Sequence, residues 1–176
     1  MPTLTIPPRC PHITPPRAWW VHVGNNGPMT PQTLTQARAA VSEAQRAYKH
    51  AEDEANRAMR HLLTVHPTFP RAAFRRDAGG SLAFLYSLMH RNAPAERDSS
   101  PLFGASESDR DAAYDAAVEA VRRRLDAWRA LDEARAARVE ALVDARQAAP
   151  SVPVTELARQ AGMSYQVTRK TLAKHR

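Results

Sequence analysis

The chain has 176 residues, a length that corresponds to one large domain or to one domain with a small appendage. Its net charge of +7 and its pI near 10.3 favour a polyanionic partner, either nucleic acid or an acidic membrane surface. No apolar run approaches the length of a membrane span, and the N-terminus lacks the apolar core of a signal peptide. The single cysteine, Cys10, excludes an internal disulfide and fits a reducing interior, so we expect a cytoplasmic protein.

Residues 1–30 form a proline-rich arm. This segment contains seven of the fourteen prolines and no acid, and regular helix is not expected there because proline removes backbone donors and restricts the preceding residue. The apolar cluster from Trp19 to Val23 is either a short strand or an anchor on the helical body. Cys10, His12 and His22 are one ligand short of a structural zinc site, so no metal or other cofactor is expected.

A long helix is predicted from Thr30, a capping residue, and Pro31, which suits the first helical position, to about Val65. Two apolar series recur every seven residues along it over five heptads, which is typical of a coiled coil. The first series is Leu34, Val41, Tyr48, Ala55 and Leu62, and the second is Ala37, Ala44, Ala51, Ala58 and Val65. Because the second series is nearly all alanine, a partner helix can approach closely.

Residues 67–105 are predicted to form a small helical cap over the end of a hairpin. One short basic helix spans Pro70 to Asp77 and ends at a pair of glycines. Ser81 caps a second helix, whose apolar face is flanked by Phe84 and contains Leu82, Leu85, Leu88 and Met89. Asn92 to Gly104 is predicted to be a surface loop. Arginines in this segment either contact phosphate or, more commonly, form a solvated face.

A second long helix is predicted from Ser106 to Ala148, with acids in its first turn. Its apolar stripe contains Tyr114, Val118, Val121, Leu125, Trp128 and Leu131, and then weakens. The first half is expected to pair with the first long helix as an antiparallel hairpin within one chain, because the intervening segment is long enough to reverse direction; the alternative is an intermolecular coiled coil. The second half is expected to lead a C-terminal three-helix unit. Arg122, Arg123 and Arg124 are interpreted as surface pairing, because residues 107–153 carry a net charge of −2.

The C-terminal stretch from Val154 to His175 is organised as two short helices around a glycine turn. The first runs from Thr155 to Ala161, and Gly162 ends it because a residue without Cβ adopts the left-handed conformation easily. Met163 follows as an apolar plug. Ser164 is a good N-cap for the second helix, Tyr165 to about Lys174.

This arrangement resembles the helix-turn-helix of bacterial and phage DNA-binding proteins, in particular the homeodomain-like and resolvase-like versions. The resemblance covers about the last 22 residues, or about 45 with the preceding helix. It implies that helix 165–174 reads the DNA major groove. One departure is Thr168, where the family usually has an aliphatic residue. Val167 precedes it, which predicts a rotated or loosely packed second helix.

Charge separates DNA binding from an ordinary helical hairpin. Residues 154–176 carry five cations against one acid, Glu156, and a structural hairpin would not need them. DNA affinity comes largely from neutralised phosphates. The candidate DNA-binding residues are Ser164, Tyr165, Gln166, Thr168, Arg169, Lys170, Lys174 and Arg159.

The sequence therefore predicts an all-α protein in three parts: residues 1–30, a hairpin at 31–131 and a helix-turn-helix unit at 132–176. No catalytic constellation is found, so an enzyme is not expected. Sequence-specific transcriptional regulation, on a phage or other mobile element, is the leading hypothesis. The alternatives are replication, partition or packaging of DNA, and a protein–protein adaptor acting through the coiled coil.

A homodimer on double-stranded DNA is also expected, because one short recognition helix reads few base pairs. Trp19, Trp20 and an apolar patch of Phe84, Leu85 and Leu88 exceed what a two-helix hairpin needs to cover. The alternative is intramolecular, with the tryptophan pair folding back over the patch as a lid.

Overall fold

The computed structural model describes residues 31–93 and 105–175, and the regular structure in these two ranges is entirely helical. Six helices follow one another along the chain: α1 (Pro31–Val65), α2 (Arg71–Ala78), α3 (Leu82–Asn92), α4 (Glu107–Ala148), α5 (Val154–Ala161) and α6 (Tyr165–Lys174). The predicted all-α fold is confirmed. The proline-rich arm, with its tryptophan pair and its metal candidates, and the loop at 94–104 lie outside the described residues.

The two long helices, α1 and α4, pack against each other in opposite directions within the single chain. The start of α1 meets the end of α4, where Leu34 shares a core with Leu142. The end of α1 meets the start of α4, where Leu62 shares a core with Ala117. The two helices therefore form the predicted antiparallel hairpin.

Alanine brings the two helices close together. On α4 the buried face contains Ala113, Ala117 and Ala120, which lie in one core with Met59 of α1. Small side chains at such a seam allow close approach of two backbones, so the packing depends on alanine as much as on large apolar groups. The predicted stripe was wrong at Trp128, which is 50% exposed because the alanine face, and not the tryptophan, turns toward α1.

Helices α2 and α3 cover the end of the hairpin, as predicted. Phe74 of α2 packs edge-on against Phe69 and Tyr114, with ring centroids 5.3 and 5.4 Å away. Leu85 and Leu88 of α3 are buried in the same core. The expectation of an exposed patch at Phe84, Leu85 and Leu88 was therefore wrong, since α1 already covers the two leucines.

A buried arginine lies beneath this cap. Arg124 of α4 is 7% exposed and donates to a carboxylate oxygen of Glu52 on α1 at 2.5 Å. Its guanidinium also lies 5.0 Å from the centroid of the Phe84 ring, a cation–π contact. The prediction of surface pairing is correct for Arg123, which pairs with Glu54, but wrong for Arg124, because α3 closes over it.

No helix in the two described ranges is both long enough and apolar enough to cross a membrane.

Candidate nucleic-acid interface

The C-terminal helices pack at one end of the hairpin, where α1 begins and α4 ends. Their core combines Leu34 of α1, Leu142 of α4, and Leu157 and Ala161 of α5, with Leu172 of α6 packed against it. The sequence predicted a three-helix unit led by the end of α4. The structure adds the first turns of α1, so a boundary at residue 132 does not separate this unit from the hairpin.

The turn between α5 and α6 follows the predicted chemistry. Gly162 ends α5 in the left-handed region with a φ of 62°. Its N–H donates to the carbonyl of Arg159, and the N–H of Met163 donates to the carbonyl of Ala158. This hydrogen-bond pair is the Schellman motif, which satisfies the last carbonyls of a helix. Met163 then packs against the core as the apolar plug.

Arg38 of α1 fixes this turn from outside. Its guanidinium Nη1 donates to the carbonyl of Arg159 at 3.2 Å. A cation at the C-terminal end of a helix is favourable because the last carbonyls point toward it. The sequence interpretation missed Arg38. Its only local signal is its place one turn after Leu34, and nothing in the spacing of α1 shows that α5 packs there.

The start of α6 is fixed by Ser164. The Ser164 hydroxyl accepts from the N–H of Val167, which confirms the predicted N-cap. The Ser164 carbonyl accepts two hydrogen bonds from Thr168, one from its N–H at 2.9 Å and one from its hydroxyl at 3.0 Å. The first turn of α6 is therefore held at a defined orientation.

Thr168 takes the core position that an aliphatic residue usually fills. It is 0% exposed, whereas Val167 is 50% exposed. Of the rotated or loosely packed helix that the sequence predicted, the rotation is not found, because Thr168 and not Val167 faces the core. The threonine hydroxyl satisfies its hydrogen bond by donating to the carbonyl of Ser164. As a buried residue, Thr168 is withdrawn from the candidate DNA contacts.

The outer face of α6 is basic and polar. Gln166, Lys170 and Lys174 are exposed and recur every four residues, which places them along one stripe of the helix. Tyr165 is half-exposed at the start of the helix. No acidic residue occurs in α6, so nothing within the helix neutralises this stripe.

Arg159 is already engaged by its own helix. Its guanidinium donates to both oxygens of the Glu156 carboxylate, at 2.6 and 2.8 Å. Hydrogen bonds from Arg159 and Gln160 lower the pKa of the Glu156 carboxyl to about 2. Because the pair is exposed, a phosphate can compete for the guanidinium, but Arg159 has an ion-pair partner, whereas Lys170 has none among the described residues.

Arg169 lies on the flank of α6, beside the end of α4. It lines a cleft of about 600 Å³ together with Arg146 of α4, Val154 of α5 and His175. Residues 169 and 170 are adjacent and so project about 100° apart around the helix axis. The structure therefore separates Arg169 from the outer stripe of Gln166, Lys170 and Lys174.

Comparison of the chain with protein-family models, with curated proteins and with solved structures finds no match. Within the described residues, no group of three or more His, Cys, Asp and Glu side chains could hold a metal ion.

Proposed function

We propose that this chain is a DNA-binding protein whose helix α6 enters the major groove of double-stranded DNA. The observation that carries the proposal is the stripe of Gln166, Lys170 and Lys174, exposed on a short helix that Thr168 anchors from its opposite side. The major groove of B-DNA is wide enough to admit an α-helix. Lysines on the outer face would neutralise phosphates, and an exposed glutamine can read an adenine edge.

The supporting residues surround this stripe. Ser164 and Tyr165 lie at the start of α6, where a recognition helix makes many of its contacts. Arg159 on α5 and Arg169 on the flank of α6 lie outside the stripe, and we place both at the edge of the interface, where their guanidinium groups would contact phosphate. Rigid support is the physical advantage of this arrangement, because the Ser164 cap and the Gly162 turn fix the helix before DNA arrives.

For the biological role, we propose sequence-specific regulation of transcription by a cytoplasmic, non-enzymatic homodimer of bacterial or phage type. Two copies would place two short helices about one DNA turn apart, which increases affinity and specificity over a single helix. The same geometry is compatible with replication, partition or packaging of DNA. The two roles differ in sequence preference, so that property decides between them.

A protein–protein adaptor is the second candidate. The half-exposed Trp128 on α4 favours it, because a large exposed aromatic side chain is common at protein interfaces. In that case the basic stripe of α6 would be incidental, and the chain would show no salt-dependent affinity for DNA.

The experiment is a gel shift of the full chain with random-sequence duplex DNA at two salt concentrations, followed by selection of binding sites from a random pool. Binding that weakens with salt supports DNA binding over the adaptor. A palindromic consensus supports a dimeric regulator, whereas the absence of a consensus supports an architectural or packaging role. In a selected site, Gln166→Ala should relax the preference at one base pair, and Lys174→Ala should weaken all sequences similarly.

A further inference from the structure

We propose that the cleft between α4 and α6 binds an amphipathic organic anion, a carboxylate attached to an apolar body. The cleft has a volume of about 600 Å³, within the range of pockets that hold small molecules in proteins. The site is separate from the stripe of Gln166, Lys170 and Lys174, none of which lines it. The inference therefore stands whether or not α6 binds DNA.

The basic side chains that line the cleft favour an anionic ligand. Arg146, Arg169 and His175 line the cleft, and no acidic side chain does so in the described part of the chain. Two guanidinium groups on opposing helices can hold one carboxylate through charge-assisted hydrogen bonds. The chain's own proline-rich arm does not match this charge, because residues 1–30 contain no acid.

Arg146 is held in place before any ligand binds. Its Nη1 donates to the carbonyl of Val152 at 2.8 Å, in the loop between α4 and α5. A guanidinium has five N–H donors, and the described residues give the others of Arg146 no partner. A side chain fixed in this way loses little conformational entropy on binding, which favours affinity.

The rest of the lining is apolar except for Gln147 of α4. Val143 of α4, Val154 of α5 and Leu172 of α6 supply its larger apolar side chains. An inorganic anion would leave the apolar side chains of the cleft exposed to water. A hydrocarbon body would cover them and gain the free energy of apolar burial. The combination of cationic and apolar side chains in one cleft therefore favours an anion with a hydrocarbon chain.

The test is calorimetric titration of the full chain, without DNA, with octanoate at constant ionic strength below its micellar range. The comparison probes are hexanoate, acetate, inorganic phosphate and octanol. We expect saturable binding of one octanoate per chain. Hexanoate should bind roughly tenfold more weakly because two methylene groups are lost. Acetate, phosphate and octanol should each bind far more weakly than octanoate.

Two single variants supply the control. Arg169→Ala should weaken octanoate binding at least about tenfold, since it removes a charge-assisted hydrogen bond. Lys170→Ala removes the same charge from the neighbouring position outside the cleft and should leave binding unchanged. No saturable binding, equal binding of octanol or phosphate, or equal losses in the two variants would overturn the proposal. None of these results bears on DNA binding, which is measured separately.

Discussion

The Nε atom of Arg38 lies 2.8 Å from the point where a Cβ on Gly162 would stand. The turn of the helix-turn-helix is therefore shaped by a side chain from the first helix of the hairpin. Because Arg38 also donates to the carbonyl of Arg159, one residue of α1 both fills the space beside the glycine and holds the end of α5. The two parts of the molecule are joined at this point.

Replacing Gly162 with alanine should destabilise the protein by more than the same change at Gly79. Both glycines adopt a positive φ, 62° and 75°, so each alanine should cost about 1–2 kcal/mol from the left-handed conformation alone. A Cβ at Gly79 meets nothing within 4 Å, whereas one at Gly162 displaces Arg38. Denaturant unfolding measures both. In an Arg38→Ala background the two costs should become similar; an unchanged difference there would contradict the role of Arg38.

The sequence was sufficient for the hairpin and for the turn, and insufficient for what packs on them. Heptads in α1, the glycine at 162 and the serine at 164 are local signals, so they predicted helices, a turn and a cap. The contact of Arg38 with α5 joins distant parts of the chain, and no local pattern contains it. Trp128 was misassigned because hydrophobic size was given more importance than the alanines that allow close packing.

The candidate site was predicted as a segment rather than as a surface. Counting cations in the last 23 residues identified α5 and α6, but charge alone does not show which face is free. Thr168 was included because it lies on the predicted recognition helix, and only the packing shows that it faces the core. Arg159 was included among the DNA-binding cations, although a carboxylate three residues earlier on the same helix pairs with it.

Thr168→Val should be close to neutral, and Thr168→Ala should cost roughly 1 kcal/mol. Valine keeps the buried volume, and the Ser164 carbonyl that loses the hydroxyl still accepts from the backbone N–H of residue 168. Alanine leaves a small cavity instead. Urea unfolding of the two variants checks this prediction. A valine variant less stable than the alanine variant would show that the hydroxyl, and not the methyl group, holds α6.

Glu52→Ala should destabilise the hairpin far more than Glu54→Ala. The first change leaves Arg124 buried without its carboxylate, and breaking a buried pair costs about 3–5 kcal/mol. We expect the lower end of that range because the Glu52 side chain is 26% exposed. Glu54 pairs with Arg123 at 3.7 Å on the surface, and such a pair contributes at most about 1 kcal/mol. Equal losses in thermal unfolding would contradict the burial of Arg124.

Deprotonation of Tyr114 at high pH should destabilise the folded protein. Burial and a 2.8 Å hydrogen bond to Asp77 raise the pKa of its phenol to about 12. A group whose pKa is raised on folding stabilises the protein fully below its unfolded pKa, near 10, and this contribution is lost as pH rises toward 12. The melting temperature should therefore decrease as the pH rises from about 10 to about 12. Tyr114→Phe should reduce that decline, and an unchanged profile would contradict the assignment.

Protonation of Asp77 at low pH should weaken its contact with Tyr114. The hydrogen bond from Tyr114 lowers the pKa of the Asp77 carboxyl, and Arg76 lowers it further. A depressed pKa gives stability that is present above the unfolded value and is lost as pH falls through the folded value. Melting temperature should thus fall as pH drops below about 4. Asp77→Asn should reduce this decrease in melting temperature. If the variant loses as much melting temperature in acid as the unchanged protein does, the contact is contradicted.

The central claim, that α6 binds duplex DNA through its outer stripe, is tested most directly by the salt dependence of affinity for Lys170→Ala. Lys49→Ala is the matched control, since Lys49 is an exposed lysine on α1, eleven residues beyond Arg38 and about 16 Å farther along the helix. Fluorescence anisotropy with a random-sequence duplex gives the slope of log K against log salt. We predict that Lys170→Ala weakens binding and reduces the magnitude of the slope by about 0.9, while Lys49→Ala changes neither. No binding by the unchanged protein at low salt, or equal effects of the two variants, would contradict the account.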